Sequence, residues 1–116
     1  MLVAELLKQL FGRLRPPASL ALVHASGLSM PSTDAALTSA AASALVLGLT
    51  WLRPRHRRLV GAVLAAGVIA IGLCLVYLGA HWPTDVLAGW ALGIAAGATA
   101  AAVTSSHRWG RRREVT

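Results

Sequence analysis

A chain of 116 residues holds one domain at most. With 56% hydrophobic residues, 13% charged residues and a mean hydropathy of +0.64, the composition argues against a soluble globule. The net charge of +7 and pI near 11.6 would suit a nucleic-acid binder by magnitude, but the positions of the charges argue against that partner.

Met1 to Phe11 is a short helical candidate, with Leu2, Leu6, Leu7 and Leu10 roughly on one face. It is too short to span a bilayer and is expected at the interface. Glu5 and Lys8 interrupt it, so it is no secretory signal. Arg15-Pro16-Pro17 is expected to end the helix, because proline disfavours helix in the residue before it. Pro17 to Met30 reads as an interfacial loop with a turn at Ser26-Gly27.

Three uncharged runs follow: Ala35 to Leu52, Leu59 to Ala80 and Val86 to Ser105. Each has about the 17–25 residues that cross a bilayer as a helix. Ser32 or Thr33 caps the first and Pro83-Thr84-Asp85 opens the third, so two helix N-termini, which favour anions, share one end of the molecule. Gly89, Gly93 and Gly97 recur every fourth residue and read as a close-packing ridge. Cys74 has no partner for an internal disulfide and reads as a small packing residue. Trp51, Trp82, Trp90 and Trp109 fall near expected helix ends, the usual interfacial placement.

Arg53, Arg55, Arg57 and Arg58 lie between the first two runs, and Arg108, Arg111, Arg112 and Arg113 follow the third. Hairpin geometry puts both clusters on one side, which the positive-inside rule makes cytoplasmic. Lys8, Arg13, Arg15, Asp34 and the His81–Asp85 loop then face outward. The expected fold is an all-α integral membrane bundle, with three transmembrane helices and a short N-terminal interfacial helix. Residues 1–106 form the membrane domain and 107–116 a basic cytoplasmic tail. The protein is expected in the plasma membrane with its C-terminus cytoplasmic.

His81 and Asp85 stand one helical turn apart where the second run gives way to the third. An imidazole can attack phosphorus, and a carboxylate at that spacing can hold its ring in one tautomer. Taken singly, Asp34 and Asp85 are ordinary helix-start acids and His81 an interfacial histidine.

Three strings change that balance. Lys8, six residues, then Arg15-Pro16 is the first. Ser29-Met30-Pro31-Ser32-Thr33-Asp34 is the second, and Cys74-Leu75, five residues, His81, three residues, Asp85 is the third. In order and spacing they resemble the three signatures of the type 2 phosphatidic acid phosphatase superfamily, whose core is shared with vanadium haloperoxidases. The first is intact. In the second, Thr33 and Asp34 replace Gly and His; in the third, Cys74 and Leu75 replace Ser and Arg.

The resemblance implies a metal-independent, cofactor-free phosphatase acting on a phospholipid or polyprenyl (pyro)phosphate at the outer leaflet. By resemblance His81 is the nucleophile that forms a phosphohistidine and Asp85 orients it. Lys8, Arg15, Ser32 and Thr33 hold phosphate, and Asp34 occupies the place of the proton-donating His. That last role needs a protonated Asp34, which burial would favour. Arg13 could stand in for the guanidinium missing at Leu75 and His24 for the missing imidazole; ordinary interfacial roles are weighed above both. The rival reading is a non-catalytic relative that binds lipid phosphate or serves as a membrane partner, or a truncated fragment. Fewer helices precede the first signature than in the family's usual bundle, so the expectation is either a truncated start or a bundle completed by a second copy or another membrane subunit.

Overall fold

The computed structural model describes residues 2–114, which form four helices: α1 (Leu2–Phe11), α2 (Thr33–Gly48), α3 (Pro54–Tyr77) and α4 (Pro83–Glu114). No strand occurs among the described residues.

α1 ends at Phe11, the bound read from sequence, five residues before the Pro16 expected to end it. Gly12 ends it instead: at φ 56° it enters the left-handed region, and its N–H bonds the Lys8 carbonyl at 2.9 Å. That single bond satisfies one of the carbonyls a helix leaves open at its C-terminus. Ala4 is the buried contact, while Leu2, Leu6, Leu10 and Phe11 are exposed, an arrangement suited to an interface.

Residues 12–32 cross one end of the bundle as the loop read from sequence; the turn falls at residues 18–20, and the Ser26-Gly27 pair read as the turn forms a bend with Gly27 at φ 79°. The Leu22 N–H bonds the Leu78 carbonyl at 2.9 Å, and the Ser29 N–H bonds that of Arg13 at 2.9 Å. Gly79, at φ 70°, lies against Leu20 and Ala21, where a Cβ would meet the Leu20 carbonyl oxygen at 2.6 Å.

α2 is capped by Ser32, whose Oγ accepts the Ala35 N–H at 3.3 Å. It ends at Gly48, four residues short of the apolar run that suggested it. Its 16 residues rise about 24 Å, against a hydrocarbon core of about 30 Å. Two helices, α3 and the Pro83–Trp109 part of α4, have the length and apolarity to span. α3 starts with Pro54 at its first position, where a missing N–H costs nothing. Its most apolar stretch has a mean hydropathy of 2.8 with only 6% buried inside the molecule. So large an unpartnered apolar surface belongs in lipid or against other membrane helices. Cys74 is exposed on it, correcting its reading as a packing residue.

α2 packs along α4, and the Gly89–Gly93–Gly97 ridge makes this possible. A Cβ on Gly89 would sit 2.5 Å from the Ser32 carbonyl oxygen; on Gly93 it would strike Ser39 and Ala36, and on Gly97 Ser43 and Ala40. Gly72 of α3 makes room for Trp90 and Val86 in the same way. Trp90 is thus a packing residue two turns inside α4, not an interfacial one. α4 runs unbroken through residue 107 to Glu114.

Candidate active site

The end of α3 fixes His81 through its backbone. The Leu75 carbonyl accepts both the Ala80 N–H at 3.1 Å and the His81 N–H at 3.3 Å. The residue just before α4, which starts at Pro83, is Trp82. Asp85, three residues on, returns its Oδ2 to the Trp82 N–H at 2.8 Å, the side-chain half of a capping box. The Ser32 N–H bonds the Asp85 carbonyl at 3.0 Å, joining the N-terminal ends of α2 and α4.

The imidazole of His81 is 3% exposed. Its Nδ1 stands 3.0 Å from the Ser29 carbonyl oxygen, and its Nε2 stands 3.3 Å from Arg15 Nη1. A carbonyl only accepts and a guanidinium only donates. The proton therefore sits on Nδ1, and the Nε2 lone pair faces Arg15. Arg15 is itself held by the carbonyls of Ala80 at 2.7 Å and Ser26 at 2.9 Å. Burial pushes the His81 pKa below the ordinary histidine value, and the Arg15 charge adds to this. Asp85, the Ser29 bond and the more distant Asp34 oppose it.

Asp85 is completely buried. Its Oδ2 is 3.7 Å from His81 Nδ1, beyond hydrogen-bond range, so the nearer partner of the ring is the Ser29 carbonyl. Its Oδ1 lies 3.2 Å from Arg13 Nη1. Arg13 also bonds Thr84 Oγ1 and sits 5.8 Å above the Trp82 ring centre.

The other expected residues are placed differently. Ser32 is buried, its hydroxyl spent on the α2 cap and its N–H on Asp85. Thr33 Oγ1 is buried with no hydrogen-bond partner among the described residues. Asp34 is exposed on the first turn of α2, so the burial expected to favour its protonation is absent. Lys8 Nζ bonds Glu5 at 3.2 Å. His24 is exposed.

The structure thus gathers Arg15, His81 and Asp85, and adds Arg13, which the sequence offered only as a stand-in for the missing guanidinium and not as a partner of Asp85, and the Ser29 carbonyl, which the sequence did not offer. A signal for Arg13 existed: it stands two residues from Arg15, the spacing that puts side chains on one side of an extended chain. The Ser29 carbonyl has no side-chain signature at all.

A membrane-embedded helical bundle, with an imidazole and two guanidiniums gathered at one end near two helix N-termini, is the class that fold and site define. The chain belongs to the PAP2 superfamily, whose family model matches residues 1–109. It is 39% identical over 99 residues to phosphatidylglycerophosphatase B of Bacillus subtilis (strain 168), covering 80% of this chain and 47% of that protein. It is 36% identical over 115 residues to decaprenylphosphoryl-5-phosphoribose phosphatase of Mycobacterium tuberculosis, covering 96% and 56%. Undecaprenyl-diphosphatase of Sulfolobus acidocaldarius is 32% identical over 98 residues, covering 80% and 44%. The fold matches the crystal structure of a transmembrane PAP2-type phosphatidylglycerolphosphate phosphatase from Bacillus subtilis with a TM-score of 0.80 at 28% identity, over 90% of this chain and 53% of that one. The chain spans about half the length of these relatives.

Proposed function

We propose that the protein is a membrane lipid phosphatase that removes phosphate from a phospholipid or polyprenyl (pyro)phosphate through a phosphohistidine on His81. The observation that carries this is the geometry of the ring: with its Nδ1 proton on the Ser29 carbonyl, His81 turns its Nε2 lone pair toward the Arg15 guanidinium, the group that would hold a phosphate. The names of the relatives, all phosphatases of lipid phosphates or diphosphates, supply the substrate class.

In the proposed reaction Arg15, Lys8 and the N-termini of α2 and α4 hold the anion, with Thr33 Oγ1 as the hydroxyl still lacking a partner. Nε2 forms a bond to phosphorus as the P–O bond to the lipid breaks. The leaving oxygen takes that electron pair, and a proton from water. The imidazolium that results is balanced by Asp85. Water then attacks phosphorus, the P–N bond breaks, and inorganic phosphate leaves with His81 restored. We place the site on the extracytoplasmic face of the plasma membrane, α2 as a third crossing, and residues 107–116 as a cytoplasmic tail.

Leu75 favours a second reading, since no guanidinium stands where the third signature has one: a lipid-phosphate binder without turnover. Phosphate release from the purified protein separates the two, with phosphatidic acid and undecaprenyl pyrophosphate tested across pH. Release that disappears in His81→Ala is expected. Equal background from wild type and His81→Ala removes the enzyme reading.

A further inference from the structure

We propose that Arg13 is a positioning residue of the His81 site: its guanidinium takes up the charge of buried Asp85 and leaves the Nδ1 proton of His81 to the Ser29 carbonyl. The part Arg13 plays in turnover rests on the phosphatase reading above; its hold on the His81 proton does not.

Nδ1 has one proton and two acceptors nearby, the Ser29 carbonyl at 3.0 Å and Asp85 Oδ2 at 3.7 Å. A carboxylate with no solvent exposure needs a compensating charge. The Trp82 N–H at 2.8 Å supplies a dipole, and Arg13 at 3.2 Å supplies the full positive charge. Without Arg13 the nearest cation available to Asp85 would be His81 itself, as imidazolium, and an imidazolium has no lone pair at Nε2.

Arg13 also fixes the rival acceptor. Its carbonyl receives the Ser29 N–H at 2.9 Å and, at 3.2 Å, the Ser29 hydroxyl, which also reaches the Leu14 carbonyl. One residue thus serves both acceptors, its backbone aiming Ser29 and its side chain occupying Asp85. The guanidinium is held in turn by Thr84 Oγ1, the Trp82 face and Met30 Sδ at 3.7 Å.

The other charges facing His81 are accounted for. Arg15 approaches Nε2 from the α1–α2 loop, and Asp34 acts at longer range from α2. On α1 the Lys8 ammonium is bonded to Glu5, and α3 meets His81 with the Leu75 carbonyl.

The test is an NMR titration of the ring carbon signals in the full, histidine-labelled chain in detergent micelles, with His81 identified by the resonance lost in His81→Gln. Arg13→Gln is expected to move the His81 midpoint upward. Asp85→Asn is expected to move it downward, and adding Arg13→Gln to Asp85→Asn to leave it there. No shift in Arg13→Gln overturns the proposal. So does an equal shift with and without Asp85, which would make the effect of Arg13 a direct one on His81. Should Arg13→Gln fail to fold, Arg13→Lys decides. Lysine lacks the planar fork, so a smaller upward shift is expected with Asp85 present and none with Asp85→Asn; no shift in either overturns the proposal. In phosphate release, the acid limb of kcat/KM should move with the midpoint, at about tenfold lost neutral imidazole per pH unit below it. If the midpoints move as expected while wild type releases no phosphate, the phosphatase reading fails and the role of Arg13 stands.

Discussion

His81 carries the most consequential single property of the site, a pKa held below the ordinary histidine value by burial and by Arg15. If His81 attacks as proposed, it must do so neutral, so phosphate release is expected to fall as pH drops through this lowered pKa. The acid limb of kcat/KM, which reports the free enzyme, is expected below the ordinary histidine range. Stability follows with the same sign. The unfolded chain binds a proton at His81 more readily than the folded one, so acidification destabilises the fold. The effect begins as pH falls through the unfolded value and is complete below the folded one. Denaturant midpoints measured across that window should decline in wild type and be flatter in His81→Gln.

Asp34 and Leu75 define the complementary experiment at this scale. Asp34→His with Leu75→Arg restores both family residues, a proton donor and a charge donor, and is expected to raise phosphate release by roughly 10² or more. The side chains of the site were partly legible in the sequence, because His81, Asp85 and Arg15 sit at signature spacings. The partner of Nδ1 was not, since a backbone carbonyl from a loop 52 residues away leaves no trace in residue identity. Arg13 was legible in spacing only, because its pairing with Asp85 depends on where Gly12 turns the chain.

Among the helices, the contact of α2 with α4 is the one with least slack. Gly93→Leu would drive a side chain into Ser39 and the Ala36 backbone, and overpacking of this kind costs about 1–3 kcal/mol. A Cβ added at Gly67 on α3 meets nothing within 4 Å, so Gly67→Leu should be close to neutral. Thermal unfolding in detergent, monitored by circular dichroism, checks the contrast. The glycine ridge was readable from its four-residue period. The helix ends were less so, because an apolar run does not reveal where backbone hydrogen bonding stops. α2 ends at Gly48 although Leu49 and Leu52 continue the apolar pattern, and α1 ends at a glycine rather than at the prolines.

Taken whole, the molecule is polarised. His24 lies in the loop at the His81 end, and Arg53, Arg55 and Arg58 are exposed around the opposite end of α3. With Cys74→Ser as background, a cysteine replacing His24 should react with a membrane-impermeant thiol reagent on intact cells. One replacing Arg55 should react only after permeabilisation. The reverse pattern would invert the orientation proposed from the arginine clusters. Charge position made this polarity visible in the sequence. The number of crossings was less accessible, because α2 is apolar along a stretch longer than the helix it forms.

Several of the joints that hold this site together run from backbone to backbone: Leu75 to Ala80 and His81, Ser32 to Asp85, Arg13 to Ser29. Such joints do not depend on which side chain each position carries. Motif positions such as Thr33, Asp34 and Leu75 are therefore free to drift in identity while the frame around His81 keeps its shape. The same independence makes the His81 end of the bundle a chassis onto which a different set of anion-handling side chains could be installed.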